Sequence, residues 1–595
     1  MIQYIRGVKI KKILSIFVSF ILVLNIVSCK KIESVKDNKI EKYNEEFNDF
    51  LDEEFKDSME ADYLNNHYSL YDSSYMGIIK PEPLLDPNDF SIDSYADSKE
   101  DGIESLNTLK SFDLDSLSEE QIYTYKVYEY YLENYINLND LLLFDNVFDS
   151  SNGIQENLLT IFIEFEFRNP EEFEDYLKLL SDVSSYVEAA IDLTKYQASY
   201  GFYMSDSAVD ETVNGIDSFT SKVEDNELII LFNNSCDNFD GLSKEQKQEY
   251  KERNKDIIIN SVIPAYINLK EELINLKGSR RAKGGISSYD GGKEYYQALL
   301  NNKTGSNKTS KELFNMCQDY LDSILLEYVT IYQKNPDAFD NFEDEPKQIR
   351  NFDTSDILEF IKENMIYEYP LGPDVNYTIS YLDETVANDS ILAYYLNPPI
   401  DNISNNIIKV NPNTGNHKMT LYTTIAHEGF PGHLYQVTYY LNTNPHPLRR
   451  NISNIGYTEG WAMYTELNAI DYLDITYEQK IEEKLNIKFN YVLLAALDIM
   501  VNGLGYNLSQ TSKWLDYYIN PDYIEELYQD AIDNPGTFLP YGIGLMYYEN
   551  LRDSAKKQLK DKFDPISFHE VILKNGDKPL YLLEEDVNKY ISLNK

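Results

Sequence analysis

Three capping boxes set the fold class of this chain. Ser118-Glu119-Glu120-Gln121, Ser243-Lys244-Glu245-Gln246 and Thr309-Ser310-Lys311-Glu312 each place a hydroxyl residue three positions ahead of Gln or Glu. In that arrangement each side chain accepts the other residue's backbone N–H, and a helix starts. Long apolar-patterned runs follow, to about Leu138, Leu276 and Gln333. Strand signals are sparse: Val375–Leu382, Ile407–Val410 and Lys418–Tyr422 are the best, with the turn-like Asn411-Pro412-Asn413-Thr414-Gly415 between the last two. The chain reads as mainly α, with a short strand pair or small sheet just ahead of residue 427. No repeat of fixed period is present, which argues against a solenoid.

At 595 residues the chain exceeds a comfortable single-domain size. Its clearest break in composition is Gly278–Gly292, which holds Gly278, Gly284, Gly285, Gly291 and Gly292. Such a cluster between helical stretches predicts a boundary or a mobile loop. The expected division is residues 43–290, an N-terminal helical part, and 291–595, a second part. A formal charge of −47 excludes nucleic acid as a natural partner, because phosphate binding needs clustered Lys and Arg. The 51 tyrosines need hydroxyl partners when buried, so half-exposed helix faces are their expected place.

Arg6, Lys9, Lys11 and Lys12 precede an almost unbroken apolar run, Ile13 to Leu24, too short for a comfortable permanent span. The run ends at Ile26-Val27-Ser28-Cys29, which resembles a bacterial lipobox. Residues 1–28 are therefore expected to be a lipoprotein signal peptide, Cys29 the lipidated residue, and 29–42 a tether. The implied location is the extracytoplasmic face of a bacterial membrane, with the lipid as the sole membrane contact. Cys236 and Cys317 are then the remaining cysteines. They make no disulfide framework and lack the spacing of a cysteine metal site.

Four of the six histidines, His417, His427, His433 and His446, fall within thirty residues. Inside that window is His427-Glu428-Gly429-Phe430-Pro431-Gly432-His433, with Gln436 following. A His followed directly by Glu, with a second His nearby, suggests two imidazoles holding Zn²⁺ and a carboxylate that deprotonates water. The spacing is wrong for one straight helix. Six residues turn the direction by about 240° and advance about 9 Å. Pro431 and Gly432 offer a remedy, since proline removes an amide donor and glycine admits unusual dihedrals. A break there is expected to return His433 to the ion. A third ligand is needed, and Glu459 and Glu466, seven apart, share one helix face. Glu459 is the expected ligand and Glu466 its support, one zinc ion being bound per chain.

These residues, His427-Glu428-Gly429-Phe430-Pro431-Gly432-His433 with Gln436, then Glu459-Gly460-Trp461-Ala462 with Tyr464 and Glu466, carry a resemblance. They look like the bacterial family called domain of unknown function 885, with its H-E-x-x-P-G-H-x-x-Q and E-G-W-A-x-Y-x-E patterns. The family resembles mainly helical zinc peptidases of the gluzincin type. The resemblance implies a large helical metallopeptidase-like fold, catalytic in 291–595, acting on short peptides with Glu428 as general base. By similarity Pro540-Tyr541-Gly542-Ile543-Gly544 makes Tyr541 a hydrogen-bond donor to an oxyanion. Gln436, Asp498 and Asn502 join Glu466 as expected supports of the ligands. Asp498-Ile499-Met500-Val501-Asn502 departs from the family's D-x-G-x-H, with Met500 for Gly and Asn502 for His, and Asn cannot shuttle protons near neutral pH.

Arg449, Arg450 and Tyr457 are candidate substrate contacts, the arginines for a carboxylate. His417 is expected at a loop surface, and His67 and His569 have no partner pattern. Two other readings stay open: a lipoprotein that binds peptides or another ligand at a decayed site, which Met500 and Asn502 favour, and a metal-dependent hydrolase of non-peptide amides or esters.

Overall fold

The structure, a computed structural model, describes residues 30–85, 90–139, 142–144, 146–150, 153–335, 346–382, 392–416 and 418–595. The signal segment, Cys29 and His417 lie outside the described residues. All three capping boxes form. Ser118 and Gln121 exchange their bonds at 3.1 and 3.2 Å, and those of Ser243 and Thr309 open the helices Lys244–Ile257 and Ser310–Lys334. Helix dominates, as expected.

Two compact units are present. One comprises the described residues up to Leu142 together with His446–Ile452. Its first helix is Lys30–Ala61, so residues 30–42, expected as a tether, are continuous with a helix. Phe47, Leu51, Phe55 and Met59 recur along that helix and are fully buried, the stripe a core-facing helix needs. His446 and Arg449 belong to this unit. The His446 Nε2 lies 3.1 Å from Asp52, and the Arg449 guanidinium sits 5.6 Å from the Tyr123 ring centre. Arg449 is buried against that ring, outside the unit that holds His427, and Arg450 lies in the same short helix.

The other unit runs Leu143–Pro445 and Ser453–Lys595, so the glycine cluster is interior to a unit and marks no boundary. The cause is close docking. The Ile286 N–H donates to Asn502 Oδ1 at 3.0 Å and Ser287 Oγ to the Val501 carbonyl at 3.1 Å. A Cβ on Gly285 would stand 2.4 Å from Asn502 Oδ1. Cys236 and Cys317 are both buried and unpaired.

The sheet has three strands, β1 (Tyr377–Tyr381), β2 (Ala393–Leu396) and β3 (Asn406–Val410), in the order β1-β3-β2. β1 pairs with β3 in parallel, and β2 pairs with β3 antiparallel, Tyr395 facing Ile408. Lys418–Tyr422, read as a strand, is instead the start of the helix Lys418–Glu428. Leu421, Tyr422, Ile425 and Ala426 are its buried apolar positions, a helical spacing that the local alternation hides. Many tyrosines are core residues rather than half-exposed ones, their hydroxyls spent on backbone carbonyls: Tyr266 on Gln155, Tyr422 on Ala469 and Tyr548 on Tyr457.

Candidate metal centre

The helix Lys418–Glu428 carries His427 and Glu428 at its end, and His433 opens the next helix, His433–Leu441. Between them the chain breaks at Gly429–Gly432, with a cis Phe430–Pro431 bond. The Gly432 N–H reaches back to the Ala426 carbonyl at 3.1 Å and the Tyr435 N–H to Gly429 at 3.2 Å, so the turn closes on itself. The two imidazoles then face each other with ring centres 4.8 Å apart, at 83°.

The third donor arrives on the helix Ile455–Ala469. Its Trp461, fully buried, donates from Nε1 to the Pro431 carbonyl at 2.9 Å, locking that helix to the break. Glu459 Oε2 stands 3.4 Å from His427 Nε2 and 3.6 Å from His433 Nε2. Donor atoms on a tetrahedral zinc, each about 2.1 Å from the ion, are separated by roughly 3.4 Å. Both separations from Glu459 match that spacing, and all three donor atoms lie within 4.8 Å of one another. Glu466 Oε2 lies 3.2 Å from His427 Nδ1, which fixes the tautomer and turns Nε2 to the centre.

Glu428 is held separately. Its Oε2 accepts the Tyr395 N–H of β2 at 2.9 Å, and its Oε1 is 4.0 Å from His427 Nε2. Burial raises its carboxyl, opposed by the two imidazoles. Burial also acts on Glu459, yet His433 and His427 hold its carboxyl well below the usual range. For His427, burial disfavours the proton and Glu459 and Glu466 outweigh it, so its pKa rises.

Tyr541 comes from the helix Leu539–Leu559. Gly460 and Gly544 allow the approach, since a Cβ on Gly460 would meet Gly544 Cα at 2.6 Å. Burial and the Glu459 and Glu428 carboxylates raise the Tyr541 pKa. Its ring stacks on Tyr491 at 5.7 Å. A cleft of about 1200 Å³ opens over the centre. His427, Glu428, Glu466, Tyr491 and Tyr541 line it with Thr420, Thr423, Thr424, Thr537, Phe538, Glu483, Ala393, Lys418 and Arg350.

Other expected residues go elsewhere. Tyr457 is buried and donates to the Ile572 carbonyl at 3.0 Å, which leaves it no surface for a substrate. Gln436 is buried, and its side-chain amide makes no hydrogen bond to an imidazole of the centre. Asp498 and Asn502 tie backbone segments together rather than support an imidazole. Asp498 accepts the Gly536 N–H at 2.7 Å and the Asn502 amide at 2.8 Å, and Asn502 also donates to Ala531. His569, to which the sequence assigned nothing, is buried behind Trp461; its Nδ1 donates to the Glu368 carbonyl at 2.7 Å, its Nε2 accepts from Tyr464, and burial pushes it down to about 3. Tyr491, Arg350, Lys418 and the Tyr395 N–H escaped the sequence reading because no motif marks them.

Burial raises Asp498 to about 6 from an ordinary 3.8, the hydrogen bonds from Asn502 and Gly536 opposing it. Between those values the folded chain keeps a proton that the unfolded chain has lost. Stability from this group is thus greatest at low pH and falls by about 3 kcal/mol as pH rises through 6. In Asp498→Asn that decline is absent. Urea unfolding of both proteins from about pH 4 to 7 checks it, and parallel pH profiles would refute it.

A mainly helical scaffold that gathers two imidazoles and a glutamate under an open cleft defines a class of helical proteins with a His-His-Glu centre. The chain belongs to the family described as "Bacterial protein of unknown function (DUF885)", whose profile matches residues 73–587. In structure it is similar to a candidate lipoprotein from Colwellia psychrerythraea, with a TM-score of 0.77 at 18% identity over 93% of this chain and 99% of that one. It is also similar to a candidate lipoprotein of unknown function from Shewanella oneidensis, with a TM-score of 0.59 at 17% identity over 92% and 99%. A candidate oligoendopeptidase F from Bacillus anthracis str. Ames overlays with a TM-score of 0.31 at 11% identity over 84% and 92%, too loosely to carry an argument. No curated protein sequence matches the chain.

Proposed function

We propose that this chain is a zinc-dependent peptidase of short peptides, exported and held by a lipid on Cys29 at the outer face of a bacterial membrane. The observation that carries the reading is the meeting of His427, His433 and Glu459 donor atoms within 4.8 Å of one another, beside a carboxylate that is not one of them. Zinc held by these three would polarise water and a substrate carbonyl.

The chain's own groups account for the proton transfers. With one Glu428 oxygen fixed by the Tyr395 N–H, the other takes a proton from the attacking water. The water oxygen bonds to the peptide carbon, Glu428 passes the proton to the leaving nitrogen, and the C–N bond breaks; the water's second proton also ends on the amine, giving a carboxylate and an ammonium group. Tyr541 donates a hydrogen bond to the developing oxyanion. Glu466 keeps His427 oriented. The substitutions that favoured a non-catalytic binder, Met500 and Asn502, are not among the residues lining the cleft. The lipobox-like sequence and the two lipoprotein-named neighbours support the location.

Elemental analysis of the purified chain is expected to find about one zinc per chain. A mixed peptide library read by mass spectrometry is expected to be cut, less so with chelator, and again after zinc is restored. Stoichiometric zinc with every peptide intact would overturn the peptidase reading.

A further inference from the structure

In a chain of 100 acidic and 53 basic residues, the cleft that holds Glu428, Glu466 and Glu483 also holds two cations. Arg350 and Lys418 both line it, and Lys418 Nζ donates to the Phe352 carbonyl at 3.0 Å, two residues past Arg350 in the chain. Lys418 begins the helix that ends at Glu428. Ten residues of helix place its Cα about 15 Å from that of Glu428.

The outer edge of β2, the side away from β3 among the described strands, connects those two points. Backbone groups along an antiparallel strand alternate between the partner strand and the outside. The Leu392 carbonyl accepts the Asn411 N–H at 2.9 Å and so turns toward β3. The Tyr395 N–H points the other way, to Glu428. Ala393, two residues before Tyr395, shares that outward side and lines the cleft. From Tyr395 back to Leu392 the edge runs toward the Lys418 end, because Leu392 is also bonded by Thr414 Oγ1 at 2.9 Å, in the turn that precedes Lys418.

An extended peptide laid antiparallel on this edge sends its C-terminus toward Arg350 and Lys418. Laid parallel, it would bring an ammonium group against two cations, so charge selects the first direction. Resting on the peptidase reading above, we propose that Arg350 and Lys418 bind the C-terminal carboxylate of a short peptide, with the cleaved bond about three residues from that end. The spacing follows from the roughly 15 Å helical rise less about 6 Å of lysine side chain, divided by about 3.3 Å per extended residue.

The test uses the zinc-loaded Glu428→Gln chain and an N-acetylated hexapeptide of alanine and phenylalanine, as free acid and as C-terminal amide. Calorimetry is expected to show the acid binding about ten- to a hundredfold more tightly. Adding Arg350→Gln, at an exposed position, or Lys418→Met is expected to remove most of that preference, read as the ratio of acid to amide affinity. With the unsubstituted chain, mass spectrometry of longer and shorter acids should find cuts that keep their distance from the C-terminus. Equal binding of acid and amide, or a preference that survives both substitutions, overturns the proposal. Acid-selective binding without hydrolysis would instead overturn the peptidase reading and leave the carboxylate site standing. Failure of both peptides to bind would overturn both.

Discussion

Glu428→Gln is expected to lower kcat for peptide hydrolysis by about a thousandfold or more while the chain keeps its zinc, general-base removal alone being worth about 10² to 10⁴. The two halves of that outcome have separate causes. Glutamine is isosteric, and its amide oxygen can still accept the Tyr395 N–H that glutamate now accepts at 2.9 Å. Its nitrogen has no lone pair available to take a proton from water. Zinc content is expected to hold because Glu428 stands outside the donor triad, with Oε1 4.0 Å from His427 Nε2 against 3.4 Å for Glu459. Steady-state kinetics on a cleaved library peptide, with metal analysis of the same preparation, decides it. Full activity in the variant would remove Glu428 from the chemistry. Lost activity with lost metal would show that Glu428 holds the ion.

The sequence was most informative where structure is local. A capping box is closed by residues three apart, so Thr309 and Glu312 announce their helix wherever the rest of the chain goes. The donor set is nearly as local: His427 and His433 are bracketed by the Pro431-Gly432 break, and Glu459 shares a motif with Trp461, the residue that bonds the break. What stayed hidden depends on distant partners. β2 is four residues long and exists through pairing with β3, so Ala393–Leu396 carries little signal of its own. Lys418–Tyr422 alternates like a strand, but burial of Leu421, Tyr422 and Ile425 on one face makes it helix. Asp498 and Asn502 were read as supports of the centre because their motif resembles one in the family. Their bonds run to Gly536, Ala531 and Ile286, segments that only the folded chain brings together. Arg350 and Lys418 reach the cleft from separate stretches and share no pattern.

Gly432→Ala is expected to weaken zinc binding by about a hundredfold or more, in contrast to Glu428→Gln, and to destabilise the metal-free chain as well. A Cβ at position 432 would stand 1.8 Å from the His427 carbonyl oxygen and 2.5 Å from that of Ala426. Both are backbone atoms at the end of the helix that carries His427, so no side-chain rotation relieves the contact. The turn must open, and the Gly432 N–H bond to Ala426, now 3.1 Å, opens with it. His433 is the next residue, and its Nε2 must stay near the 3.6 Å separation from Glu459 for one ion to be shared. A displacement of about 1 Å removes a good bond to the metal, whose distances tolerate roughly 0.2 Å. The strain itself should cost about 1–3 kcal/mol, the usual range for forced overpacking. Competition with a chromophoric chelator measures the first effect, and urea unfolding in excess chelator measures the second. Zinc affinity matching that of the unsubstituted chain would mean that His433 can move freely at this turn, and that the closed glycine break is not what holds the two imidazoles together.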